Sequence, residues 1–135
     1  ILGIVHSMAH KAGKTFDITH GTANALFLPF AIKFNAKAAG ERYADIASRL
    51  GLAGSTTDEL VDSLIEFVEG LKKDMNMAFT LKDLGITEEQ FTSVVDKISE
   101  AAVQDPCTGT NPREISVAEM KKLFEASFYG TKIDF

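Results

Sequence analysis

The chain's 135 residues fit the usual size of one domain, and its 45% apolar and 24% charged content is that of an ordinary globular chain, which excludes disorder as the default reading. A net charge of -5, with the lysine pairs Lys72-Lys73 and Lys121-Lys122 flanked by acids, leaves no broad positive field for a nucleic-acid backbone. The most apolar run, residues 23–34, falls short of the ~20 residues a membrane span needs, so it is expected to be a core helix and no membrane partner is expected.

In chain order, the first predicted helix covers about residues 1–12, with Gly13 as its stop. No initiator methionine and no Ser, Thr, Asp or Asn precedes its first apolar turn, so the chain reads as cut from a longer one. The polar stretch 14–20 carries Asp17 and Thr19, either able to cap a second helix that starts near Gly21 and runs to about Asn35. Pro29 falls inside that helix and removes the bond back to the Ala25 carbonyl, which calls for a kink or an early end. Tyr43, Ile46, Ala47 and Leu50 recur at helical spacing ahead of Gly51, marking a short third helix over residues 40–50.

Three capping-box patterns announce the remaining helices: Thr56 with Glu59, Thr87 with Gln90, and Ser116 with Glu119. Behind the first, Leu60, Val61, Leu64, Ile65, Val68, Leu71 and Met75 trace one apolar face. Phe91, Val94, Val95, Ile98, Ala101 and Ala102 follow the second, and Met120, Leu123, Phe124 and Phe128 the third. No segment alternates with period two between turn residues, so the expected fold is all-α, a compact bundle of about six helices whose short connections favour antiparallel neighbours.

All three histidines fall in the first 20 residues, at His6, His10 and His20. His6 and His10 are one turn apart, so on a helix their rings share a face about 6 Å apart along the axis. Such a pair can chelate a metal or simply line a core face, and spacing alone does not decide between them. His20 adds a constraint. A continuous helix would carry it roughly 21 Å from His6, too far for one ion with bonds of about 2.1 Å, so a common site requires the chain to turn back near Gly13. His20 then sits at a helix N-terminus, where the dipole disfavours an imidazolium and leaves a neutral ring able to ligate.

The segment His6-Ser-Met-Ala-His10-Lys-Ala-Gly13, then Asp17-Ile-Thr-His20-Gly21-Thr-Ala-Asn24-Ala, then Leu28-Pro29 and Asn35, resembles the second signature of iron-containing alcohol dehydrogenases. The likeness continues through Glu41-Arg42-Tyr43-Ala44-Asp45-Ile46-Ala47, Asp83-Leu84-Gly85-Ile86, Cys107-Thr-Gly-Thr-Asn111-Pro112-Arg113 and Phe128-Tyr129-Gly130, and so covers essentially the whole chain. Its later segments look most like butanol dehydrogenases and the alcohol dehydrogenase half of bifunctional aldehyde-alcohol dehydrogenases. One departure is Thr19, where the family usually has proline before the His-Gly pair.

The resemblance implies that residues 1–135 are the C-terminal, metal-binding helical domain of a two-domain dehydrogenase, and that the preceding nucleotide-binding α/β domain is missing. It implies His6 and His20 as metal ligands, completed by an aspartate and a third histidine from that missing domain. His10 is implied to face the nicotinamide and the substrate without ligating, as a catalytic and cofactor-binding residue. The expected activity is reversible hydride transfer between a primary alcohol and NAD or NADP, with the metal as Lewis acid. Imidazole and carboxylate ligands suit Fe(II) and Zn(II) about equally, and the family name favours iron. The parent is expected to be a cytoplasmic homo-oligomer, and the isolated chain inactive. The alternative is a stand-alone, non-enzymatic helical metal-binding or interaction domain.

Other residues receive structural readings. Cys107, the single cysteine, has no disulfide partner, which suits a reducing compartment, and no cysteine or histidine stands near it in sequence. Asn111-Pro112-Arg113 reads as a turn in which Arg113 binds carbonyls or an acid. Phe16, Phe27 and Phe30 are expected in the core, with a pocket wall near the histidines as the other option. Apolar surface along residues 1–5 is expected to be exposed and to drive self-association.

Overall fold

The computed structural model describes residues 2–135, so Ile1, the expected start of the first helix, lies outside it. Among the described residues six α-helices follow one another: α1 (Ile4–Phe16), α2 (His20–Arg49), α3 (Thr57–Asp74), α4 (Glu88–Thr92), α5 (Val95–Val103) and α6 (Val117–Tyr129). Two single 3-10 turns lie at Lys82–Leu84 and Thr108–Thr110, and no strand occurs among the described residues. The all-α bundle expected from the sequence is the fold. Helix α2 is its spine and packs against α1, α3 and α6, while α5 joins α1 to α6.

All three capping boxes form as the sequence requires, each hydroxyl accepting from the backbone three residues on and each Glu or Gln side chain reaching back. Gly51 stops its helix in the left-handed region at φ 72°. Phe27, Phe34, Phe91, Phe124 and Phe128 are fully buried, Phe27 edge-on to Phe124 at 5.6 Å and Phe91 stacked on Phe128 at 4.3 Å. Such pairs add to the burial of large apolar area.

Four local expectations are corrected. Helix α1 does not stop at Gly13 but runs to Phe16 and ends where Asp17 takes the left-handed conformation, φ 55° and ψ 43°, its amide donating to the Gly13 carbonyl. The second and third expected helices are one: α2 stays helical through Pro29, and its single non-helical residue is Ala39, φ -129° and ψ 18°. The irregular residue precedes Gly40, where α3 packs close: a Cβ on Gly40 would stand 3.3 Å from Thr57 Cγ2. The expected helix behind Thr87 is broken between α4 and α5 at Ser93 and Val94, because Thr92 and Ser93 spend their hydroxyls on the Glu88 and Gln90 carbonyls.

The fourth concerns α3, whose apolar stripe is buried only in its first half. Leu71 (45%) and Met75 (61%) stay exposed, and it is Lys72 that is buried, with its ammonium 5.0 Å from the Phe79 ring. At the start of the chain Leu2 is exposed as expected, but Ile4 is fully buried.

The loop after α5 is bracketed to the rest by amides. Asn111 and Asn35 exchange side-chain hydrogen bonds at 2.7 and 3.0 Å, and Asn111 Oδ1 also accepts from the Ile4 amide at 3.3 Å. Arg113 binds both carbonyls and an acid: it donates to Phe34 and Phe135 oxygens at 2.8 and 3.0 Å and to Glu119 at 3.4 Å, with its guanidinium over the Phe34 ring.

Candidate metal centre

Helix α1 turns Ile4, Met8, Ala9 and Ala12 into the core. Residues 6 and 10 lie on the flank of that stripe, which leaves His6 half-buried and His10 exposed on one edge of the helix. Their ring centroids are 6.1 Å apart. The chain then reverses through a tight turn in which the Asp17 and Ile18 amides both donate to the Gly13 carbonyl, the second at 3.0 Å. A Cβ on Gly13 would stand 3.1 Å from the Ile18 carbonyl oxygen, so the glycine serves the close return of the chain and not the helix stop.

His20 opens α2 directly after that turn. Its ring comes to 5.4 Å from His6 and 5.6 Å from His10, so the structure brings all three histidines together. Burial first, then the neighbouring His20 and His10, hold the His6 imidazole below its usual range, which favours the neutral form that ligates metals.

The separation of the His6 and His20 rings fits one shared ion. Two imidazoles on a tetrahedral centre, with metal–nitrogen bonds near 2.1 Å, place their ring centres roughly 5–6 Å apart, and His6 and His20 meet this. The Asn24 amide nitrogen donates to the His20 carbonyl at 2.9 Å and stands 3.0 Å from His20 Nε2, fixing the ring, while Asn24 Oδ1 is buried without a partner. Ring distances treat the three histidines alike; what sets His10 apart is its second neighbour.

That neighbour is Asp105, which the sequence analysis did not single out. His10 Nδ1 lies 3.2 Å from Asp105 Oδ2, the Lys11 ammonium 2.9 Å from the same oxygen, and the Cys107 amide donates to Oδ1 at 3.0 Å. Burial pushes the Asp105 carboxyl upward, but Lys11, the Cys107 amide and His10 outweigh it and hold the group well below the usual carboxylate range. Cys107 is likewise not remote from the histidines: its sulfur, His10 nitrogen and an Asp105 oxygen all lie within 4.8 Å of one another. No sequence signal links residues 10 and 105, which belong to no common motif and meet only through the packing of α1 on α5.

The phenylalanines considered for a pocket wall point elsewhere. Phe27 is core, Phe16 lines a surface depression with Leu84 and Ile86, and Phe30 lines a cavity of about 550 Å³ between α2, α3 and the C-terminal tail. None of the three histidines lines that cavity.

A family model described as Fe-containing alcohol dehydrogenase family, C-terminal, matches residues 1–128. The chain is 56% identical to the NADPH-dependent butanol dehydrogenase of Clostridium saccharobutylicum, over 100% of this chain and 35% of that protein. It is 38% identical to the bifunctional aldehyde-alcohol dehydrogenase of Escherichia coli (strain K12), over 96% of this chain and 16% of that protein. Among solved structures it resembles a 1,3-propanediol oxidoreductase, with a TM-score of 0.85 and 33% identity over 94% of this chain and 33% of that one. The chain therefore spans about a third, or less, of the length of these relatives.

Proposed function

Because this chain belongs to the Fe-containing alcohol dehydrogenase family, we propose that it is the metal-holding helical part of an NAD(P)-linked enzyme that interconverts a primary alcohol and its aldehyde. The observation that carries the proposal is the return of His20 to within 5.4 Å of His6 across one chain reversal. His6 and His20 are the two ligands this chain offers. An aspartate and a third histidine complete the set from a nucleotide-binding half, and the much greater length of the relatives supports such a second half.

A bound divalent metal supplies Lewis acidity toward the alcohol or aldehyde oxygen. The chain's own residues do the rest of the local work. Asn24 meets the His20 ring at Nε2 and the His20 backbone carbonyl, so the ligand is oriented before an ion arrives. His10, exposed with its ring 6.1 Å from His6 and 5.6 Å from His20, is the residue we assign to the nicotinamide and the alcohol, its ring nitrogen orienting the hydroxyl or taking its proton.

Iron is favoured by the family's description, although the imidazoles suit zinc as well. The relative named as NADPH-dependent and acting on butanol supports NADPH and a short-chain alcohol. We place the whole protein in the cytoplasm, in keeping with a single cysteine that has no disulfide partner; among the described residues no helix is long and apolar enough to cross a membrane.

The test is to purify the full-length protein, load it with Fe(II) or Zn(II), and follow NADPH and NADH oxidation with butyraldehyde. Turnover that vanishes on chelation and returns with metal supports the reading. A metal-loaded protein inert toward alcohols and aldehydes with either coenzyme contradicts it.

A further inference from the structure

Asp105 is a buried carboxylate, 7% exposed, beside a histidine whose side chain is 39% exposed. A buried ion needs donors, and this one has three, arranged unequally: Lys11 and His10 both meet Oδ2, and the Cys107 amide meets Oδ1. The residue is also braced. Its amide donates to the Ala102 carbonyl at 3.1 Å and its carbonyl accepts from Thr108 at 2.9 Å. Thr108 Oγ1 in turn lies 2.7 Å from both Ser7 Oγ on α1 and the Ala102 carbonyl, which ties the loop to the helix that carries His6 and His10. The carboxylate is thus fixed relative to the ring it touches.

An ionised carboxylate only accepts hydrogen bonds, so the nitrogen facing it must carry the proton. Burial of Asp105 does not require this contact, because Lys11 already neutralises it at 2.9 Å. The His10 contact therefore has a consequence for the ring itself. We propose that Asp105 is a positioning residue: it orients His10 and fixes the neutral ring with its proton on Nδ1, leaving Nε2 as the lone pair available to the reacting alcohol. This rests on the reading that His10 faces the nicotinamide and substrate.

The experiment uses the full-length protein, loaded with diamagnetic Zn(II) and labelled with ¹⁵N-histidine, so that ring ¹⁵N shifts report which nitrogen of His10 is protonated. The parent shows the Nδ1–H tautomer. Asp105→Ala shifts His10 toward Nε2–H and lowers kcat by roughly 10- to 100-fold, with the alcohol KM little changed and the zinc content intact. Asp105→Asn retains the Nδ1–H tautomer and recovers most of kcat, because two donors at the Oδ2 position against one at Oδ1 turn the amide oxygen toward His10 and Lys11.

Two failures are distinguishable. If His10→Ala leaves turnover untouched, the reading of His10 beside the substrate falls, and the positioning role with it. If His10→Ala lowers turnover but Asp105→Ala moves neither the tautomer nor kcat, the positioning role alone is overturned.

Discussion

The rings of His6 and His20 stand 5.4 Å apart although a continuous helix would separate them by roughly 21 Å. The difference is made by one turn, in which Asp17 adopts a left-handed conformation and the Ile18 amide returns to the Gly13 carbonyl. The proposed chemistry depends on that reversal, and each part of it can be tested separately.

Asn24 gives the first expectation. It makes no contact with the proposed ion yet holds His20 at both its backbone carbonyl and its ring nitrogen. Asn24→Ala in the full-length protein lowers metal affinity by about 10- to 100-fold, the usual cost of losing a group that orients a ligand. A competitive titration with a chromophoric chelator measures it.

The amide bracket is a matter of stability, not chemistry. Asn111→Ala strips buried Asn35 of both side-chain bonds and the Ile4 amide of its acceptor. Loss of about 1–3 kcal/mol is expected, since buried polar groups are left unsatisfied, and chemical denaturation reads it directly.

A core truncation sets the scale for comparison. Phe124 is fully buried edge-on to Phe27, and Phe124→Ala is expected to cost about 3–5 kcal/mol, more than the loss of the bracket. A lower cost for Phe124→Ala than for Asn111→Ala in the same denaturation series would invert the account of what holds the bundle together.

Asp105 gives a pH dependence with a definite sign. Its carboxyl is held below the ordinary range in the folded state, so the folded state binds the proton less tightly than the unfolded chain does. The stability it contributes is present above the unfolded value of about 3.9 and is lost as pH falls toward the folded value. Asp105→Ala is therefore less stable than the parent near neutrality, and the gap narrows below about pH 4. A gap that stayed constant between neutral and acid conditions would contradict this.

Short-range features were legible in the sequence and long-range ones were not. Thr56 with Glu59, Thr87 with Gln90 and Ser116 with Glu119 could be read because each box closes within three residues. The end of α1 was misplaced at Gly13 because glycine is the usual left-handed stop, while here Asp17 takes that conformation and Gly13 makes room for the Ile18 carbonyl. The union of two expected helices into α2 was hidden because their boundary, between Asn35 and Gly40, is marked in the structure by a single non-helical residue, Ala39, that does not end the helix. His6, His10 and His20 were legible as a group because they are close in sequence and resemble a known signature. Asp105 and Cys107 meet His10 only through packing of distant helices, which no local pattern records.

The most direct test of the central claim is metal analysis of the full-length protein and three single variants, purified alike and dialysed against the same trace of Zn(II). His6→Ala and His20→Ala should each lose bound metal almost completely, and His10→Ala should keep it at the parent's stoichiometry. Full metal content in His6→Ala or in His20→Ala would contradict the account, because a ligand shared across the chain reversal could not then be what holds the ion.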